Sequence, residues 1–310
     1  MSPIARRMRS SVVCAGLAVL LAACASTPGP GTAAPDNAPD LFEALPPTSA
    51  VTAPPSAPPT TSAGPEVGHS GATPGPRTRD AGGSRGASGP GAVGGSPKWR
   101  PTGGDEFNGS ELDPSEWSLY NSEGGFGTGY RRPEAISQSD GTVKITATGD
   151  ISGGLAQTKG QLYGRWEFRA RTDLGRGFGS AILLWPDSEK WPQDGEIDIM
   201  EVPGEKRDLA HFVVHWGPDG TDNMNGTAVP GDFSKWHTFA LEWLPNRITW
   251  YVDGVKKYEN TDKAAIPKTP MHLTIQLDQG PKKDWILPRD ETTPAKVALE
   301  VDWVRISKAP

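Results

Sequence analysis

The run Gly195-Glu196-Ile197-Asp198-Ile199-Met200-Glu201 sets three acids within six residues of a segment otherwise built like a buried strand. Glu196 and Asp198 alternate with Ile197 and Ile199, so at a period of two the acids share one face and the isoleucines turn to the core. Glu201 falls at an odd offset from Glu196. On a regular strand it would point inward, where an unpaired charge is costly. A β-bulge near Met200 restores the phase and returns Glu201 to the acidic face, and bulges are frequent beside active sites. A helix fits poorly, because offsets of two and five scatter the acids around the wheel and the isoleucines favour a strand.

With the bulge in place, Glu196 and Glu201 are spaced like residues four apart on a strand, about 13 Å between Cα atoms at ~3.3 Å per residue. Side chains leaning together bring the carboxyl groups about 5–6 Å apart with Asp198 between them, near the ~5–5.5 Å of retaining glycosidases and below the ~6.5–9.5 Å of inverting ones. Two carboxylates do this work only when their pKa values are driven apart, and a third acid raises the pKa of whichever group holds a proton. The competing reading of the alternation alone is the solvated face of a half-buried antiparallel strand. Against it stands the mutual repulsion of three acids in one row.

Working outward, Gly104-Asp105-Glu106-Phe107-Asn108-Gly109 is followed by Leu112-Asp113 and Trp117, then by Tyr163-Gly164-Arg165-Trp166-Glu167-Phe168-Arg169. Beyond the acids come His215-Trp216-Gly217, Trp236 to Trp243, Ile248 to Gly254 and Val301 to Ile306. In this order, around Glu-x-Asp-x-x-Glu, the chain from Trp99 to Ile306 resembles glycoside hydrolase family 16, in the bulged form of laminarinase-like endo-β-1,3-glucanases. The resemblance implies that Glu196 is the nucleophile, Glu201 the general acid/base and Asp198 the assisting carboxylate of a retaining, endo-acting enzyme on a β-linked polysaccharide, β-1,3-glucan first. It implies no cofactor. Laminarinase-like members commonly carry Trp three residues before the proline that precedes the motif, where this chain has Leu183, with Trp185 directly before Pro186; the departure bears on linkage preference. A transglycosylase using the same site, and a non-catalytic lectin-like protein on the same fold, are the alternatives.

All eleven Trp lie at or beyond Trp99, and aromatic faces with a polar edge suit pyranose rings. Trp185 and Trp191, nearest the acids, are the stacking candidates, and His215 a contact to the catalytic carboxylates. His237 reads as structural. No His/Cys/carboxylate cluster has metal-type spacing; some family members bind a structural calcium away from the cleft, in which Asp302 would take part.

Short runs rich in Val, Ile, Trp, Tyr and Phe recur between Gly, Pro, Asn and Asp clusters, with no long amphipathic helix. The strands include Val143 to Ala147, Leu162 to Ala170, Ala210 to Trp216, His237 to Trp243, Arg247 to Val252 and Met271 to Leu277, with a hairpin turn at Asp253-Gly254. The fold class is all-β, two packed antiparallel sheets. The resemblance adds the β-jelly-roll sandwich of concanavalin A-like lectins and glucanases, with a concave substrate cleft, over 98–310. A monomer is expected. No nucleic-acid partner is expected, because from Trp99 onward acids modestly exceed bases and no basic stripe appears.

At the other end, Arg6, Arg7 and Arg9 precede an apolar stretch from Val12 to Ala23, too short to span a bilayer and patterned like a signal peptide. Leu21-Ala22-Ala23-Cys24 resembles a lipoprotein lipobox, which implies a signal peptide over 1–23, lipidation at Cys24 and an exported, membrane-anchored protein; a plain signal peptide cut near Ala25 would give a secreted one. The only cysteines are Cys14 and Cys24, so the folded domain has no disulfide. Residues 24–97 are dominated by Pro, Gly, Ala, Ser and Thr with Phe42 the sole aromatic, a composition that cannot bury a core and reads as a tether.

Overall fold

A computed structural model describes residues 99–309; the signal segment, Cys24 and the linker lie outside the described residues. The chain runs through β1 (Arg100–Asp105), β2 (Trp117–Leu119), β3 (Ser122–Glu123), β4 (Tyr130–Arg131), β5 (Ile136–Ser139), β6 (Thr142–Ala147), β7 (Ile151–Gln157), β8 (Gly164–Thr172) and β9 (Phe178–Pro186). It continues through β10 (Glu196–Val202), β11 (Leu209–Trp216), β12 (Asn223–Pro230), β13 (His237–Leu244), β14 (Arg247–Val252), β15 (Val255–Asn260), β16 (Met271–Gln279) and β17 (Val297–Lys308). One sheet has the order β15-β14-β13-β8-β17-β6-β5 with β1 on β17; the other runs β12-β11-β10-β9-β16-β7-β4-β3 with β2 on β7. Pairing is antiparallel throughout except between β4 and β7.

Alternation builds both layers. Strand β8 reads strictly buried, half-buried, buried along its length, so Trp166 and Phe168 enter the core while Arg165, Glu167 and Arg169 face out. Trp166 packs on Trp243 and Phe168 stacks on Phe239, with ring centroids 5.8 and 5.5 Å apart. Trp117, Trp166, Trp243 and Trp250 are the tryptophans in this core. The six strands expected from the sequence are present, with one trimmed end: β8 starts at Gly164, because Tyr163 has a left-handed φ of 57° and breaks the extended run. Asp253 and Gly254, with φ of 51° and 75°, form the expected turn between β14 and β15.

Two expectations fall on the sheet opposite the acids. His237 places Nδ1 2.7 Å from Asp253 and Nε2 3.0 Å from the Asp232 carbonyl, which clamps the turn and makes it structural. Asp302 is held at 2.6 Å by the Arg169 guanidinium. Among the described residues no three His, Cys, Asp or Glu side chains are grouped to hold a metal ion.

Candidate active site

Strand β10 carries the acids, and its neighbours show how the phase is corrected. Against β11, Glu196 faces His215, Asp198 faces Val213 and Glu201 faces His211, with a register shift between Asp198 and Glu201. Against β9, Asp198 faces Leu183 but Met200 faces Ile182, so one residue is extra on β10. Ile199 and Met200 both sit buried at 1% exposure, Ile197 at 0%, and Glu201 returns to the face of Glu196. The bulge is anchored from the core: Trp250 Nε1 donates to the Asp198 carbonyl at 2.8 Å. A buried carbonyl freed by the disrupted ladder thus keeps a partner. Gly195, at φ 82°, opens the strand where a Cβ would meet Pro267 at 2.8 Å and the His215 carbonyl at 2.9 Å.

The three acids are unequal. Asp198 is almost fully buried, receives no N–H or hydroxyl donor on either carboxyl oxygen, and shares a carboxyl–carboxylate hydrogen bond with Glu196 that favours the charge on Glu196 and the proton on Asp198; His215 Nε2 stands 3.5 Å from its Oδ2. Glu196 accepts a hydrogen bond from Trp191 Nε1 at 2.7 Å. His215 Nδ1 lies 3.0 and 3.1 Å from the two oxygens of Asp222. Burial raises the pKa of Glu196, opposed by the His215 charge and the Trp191 hydrogen bond. Burial, then the charges of Glu196 and Glu201, raise Asp198 well above the usual range. Burial and the charge of Glu196 push Glu201 up to about 8. Burial disfavours the His215 cation, yet the Asp222 hydrogen bond and the charges of Glu196, Asp222 and Glu201 outweigh it and raise its pKa.

At neutral pH Glu201 therefore keeps its proton, while the His215 charge and the hydrogen bonds from Trp191 and Asp198 favour ionised Glu196. One pH profile follows. The reaction needs Glu196 ionised and Glu201 protonated, so kcat/KM should fall on the alkaline side as Glu201 deprotonates near about 8. It should fall on the acid side below the raised pKa of Glu196. An alkaline limb below pH 6, or none up to pH 10, would contradict this division.

The aromatic candidates gather here in different roles. Trp185 lies on the same face, cross-strand from His272, with Nε1 donating to Glu189 at 2.9 Å and the ring half-buried. Trp191 is tied to Glu196 through Nε1, with its ring 6.0 Å from that of His215. The sequence reading missed three residues. His211, cross-strand from Glu201, meets the edge of Trp285 with centroids 4.4 Å apart and has its pKa lowered by burial to about 4, so it is neutral. Trp285 comes from the connection between β16 and β17, and Asp222 from the turn between β11 and β12. Neither has a local pattern to mark it. Between the acids and β7 the floor is low, with Ala181 facing both Glu201 and Gln276, and Gln276 facing Gly154.

A row of acids with separated pKa values on the open face of a two-sheet sandwich is the apparatus of glycosidic bond cleavage. The profile of the glycosyl hydrolases family 16 matches residues 126–305. The chain belongs to glycosyl hydrolases family 16. It is 35% identical over 250 residues to the beta-glucanase of Rhodothermus marinus, covering 68% of this chain and 85% of that protein. The laminarinase structure from Rhodothermus marinus aligns with a TM-score of 0.58 and 27% identity, over 69% of this chain and 99% of that one. The endo-beta-1,3-glucanase structure from Pyrococcus furiosus aligns with a TM-score of 0.60 and 25% identity, over 68% and 95%. As a family 16 member the protein is a jelly-roll glycosidase that hydrolyses O-glycosyl bonds with retention. The lectin-like alternative falls with that membership.

Proposed function

We propose that this family 16 enzyme is an endo-acting β-1,3-glucanase in which Glu196 is the nucleophile, Glu201 the general acid/base and Asp198 the assisting carboxylate. The observation that carries the roles is the bulge after Asp198, which puts Glu201, protonated up to about pH 8, on the face of Glu196. Glu201 protonates the departing glycosidic oxygen while Glu196 attacks the anomeric carbon, and the deprotonated Glu201 then draws a proton from the water that hydrolyses the glycosyl-enzyme. Loss of the Glu196 charge in the intermediate removes one of the causes that held the Glu201 pKa high, which suits its second role as base. Asp198 is held buried between them, its pKa driven well above the usual carboxylate range by burial and by its neighbours' charges. Trp185 and Trp191 offer ring faces to the glucan, and His215 braces the carboxylates.

The choice of β-1,3-glucan rests on the names of the relatives from Rhodothermus marinus and Pyrococcus furiosus. Leu183, beside Asp198 on β9 and 4% exposed, gives the floor an aliphatic surface at that point. A panel of β-1,3-glucan, mixed-linkage glucan, galactan, agarose and xyloglucan, with products resolved by size and anomeric configuration, tests the reading. Short β-1,3-linked products of retained configuration are expected. Products longer than the substrate would make transglycosylation dominant, and cleavage of another polysaccharide with β-1,3-glucan intact would overturn the substrate.

The same reading makes the protein an exported monomer anchored by lipid at Cys24, with residues 24–97 as spacer, supported by the charged and apolar order of the first residues and the linker composition. Shortening the linker should leave kinetics on a soluble oligosaccharide unchanged and reduce attack on insoluble glucan or whole cells. Lower turnover of the oligosaccharide would show that the segment packs on the catalytic domain. Detergent partitioning that Cys24→Ala abolishes is the check on the anchor.

A further inference from the structure

We propose that Asp222 is a positioning residue: it holds His215 as an imidazolium turned toward the acids of β10, so that one fixed cation offsets their charge and keeps Glu196 ionised. The inference deepens the proposed function and rests on it for the role of Glu196. The geometry leaves little freedom. His215 Nδ1 lies 3.0 and 3.1 Å from the two Asp222 oxygens, so it carries a hydrogen and donates. On the other side of the ring, Nε2 is 3.5 Å from Asp198 Oδ2. With a second proton on Nε2 the ring is a cation lying between Asp222 on one side and Asp198 on the other, attracted by both.

The charged groups facing the ring are Glu196, Asp198 and Glu201 on β10 and Asp222 from the β11–β12 turn. The cross-strand neighbour on β12 is Met224, and Trp191 packs its ring nearby. All four titratable neighbours are acids. Glu201 must carry the proton it donates and Glu196 must be left free to attack, and Asp222, at 3.0 and 3.1 Å from Nδ1, is the carboxylate placed to secure the cation. Its side chain is 9% exposed and that of His215 14%, which limits solvent screening of the pair. Asp222 forms and breaks no bond in the reaction.

The test is Asp222→Asn, which preserves an acceptor for Nδ1–H and removes only the charge. The Asp222 charge acts directly against ionised Glu196, but less strongly than the His215 cation acts for it, so with the cation lost the acid limb of kcat/KM should still move up, by about one pH unit or about tenfold on that limb, with a smaller change at the optimum. Asp222→Glu should bring the limb back. A profile superimposable on the wild type, or a uniform loss at all pH values with both limbs in place, overturns the proposal. Nitrogen-15 NMR of the wild-type His215 ring decides independently of variant folding and of substrate: both ring nitrogens should carry protons at pH 7, and a neutral ring at pH 6 sinks the idea. Failure to cleave β-1,3-glucan would refute the substrate assignment and leave this titration standing.

Discussion

Glu196→Gln and Glu201→Gln should each lower kcat at least about a thousandfold while leaving the fold intact, the scale on which nucleophilic and general acid/base groups contribute. Both side chains lie on the solvent face of β10, half-buried, and glutamine matches their shape, so circular dichroism and thermal midpoint should be close to wild type. Asp198→Asn should be milder, because Asp198 forms no bond in the reaction and burial and two neighbouring acids favour its neutral form, which asparagine resembles. Azide separates the two glutamates. With Glu201→Ala it should intercept the covalent intermediate and give a glycosyl azide of retained configuration; with Glu196→Ala it should take the place of the nucleophile and give the inverted product. Swapped stereochemistry would exchange the roles, and comparable activity in a well-folded Glu196→Gln or Glu201→Gln would end the assignment.

The second large effect is on stability, at Arg207. This side chain is 0% exposed. Its Nε donates to the Asp173 carbonyl at 2.8 Å, Nη2 to Gly175 at 3.1 Å, and Nη1 reaches the carbonyls of Phe178, Val202, Pro203 and Gly204 at 2.8, 3.1, 3.3 and 2.9 Å. Burial without a directly bound carboxylate lowers its pKa to about 10. One guanidinium thus satisfies carbonyls on both sides of the β9 entry and the β10 exit, just after Glu201. Arg207→Met keeps the aliphatic stem and orphans those carbonyls, and should cost about 3–5 kcal/mol, the range for breaking a buried charged network. The unfolding midpoint should drop by roughly 10 °C at ~2–4 °C per kcal/mol for a domain of this size. A midpoint within about 2 °C of wild type would show that water replaces the guanidinium without penalty.

How far the site was legible depends on whether its geometry is local. The parity of Glu196, Asp198 and Glu201 on one strand demanded a bulge, and the shift lies between Asp198 and Met200, because two buried apolar side chains at Ile199 and Met200 cost less than a buried Glu201. His215 was reachable because it stands cross-strand from Glu196. For Trp191 the fold adds a contact that nearness along the chain did not show: its N–H lies on the Glu196 carboxylate.

What the chain's order of residues determined by itself is the all-β class, the strand that carries the acids and the need for a phase correction within it, since side-chain alternation is a property of the strand alone. Only the tertiary structure decided which acid keeps its proton. That depends on burial and on charges and hydrogen bonds from other segments: Asp222 on His215, the Trp191 N–H on Glu196, and the Trp250 N–H holding the bulge from the opposite layer. These partners are 26, 5 and 52 residues from Glu196, Glu196 and Asp198 respectively. Electrostatic energies follow distance in space through a low-dielectric interior, and no periodicity along the chain encodes that distance.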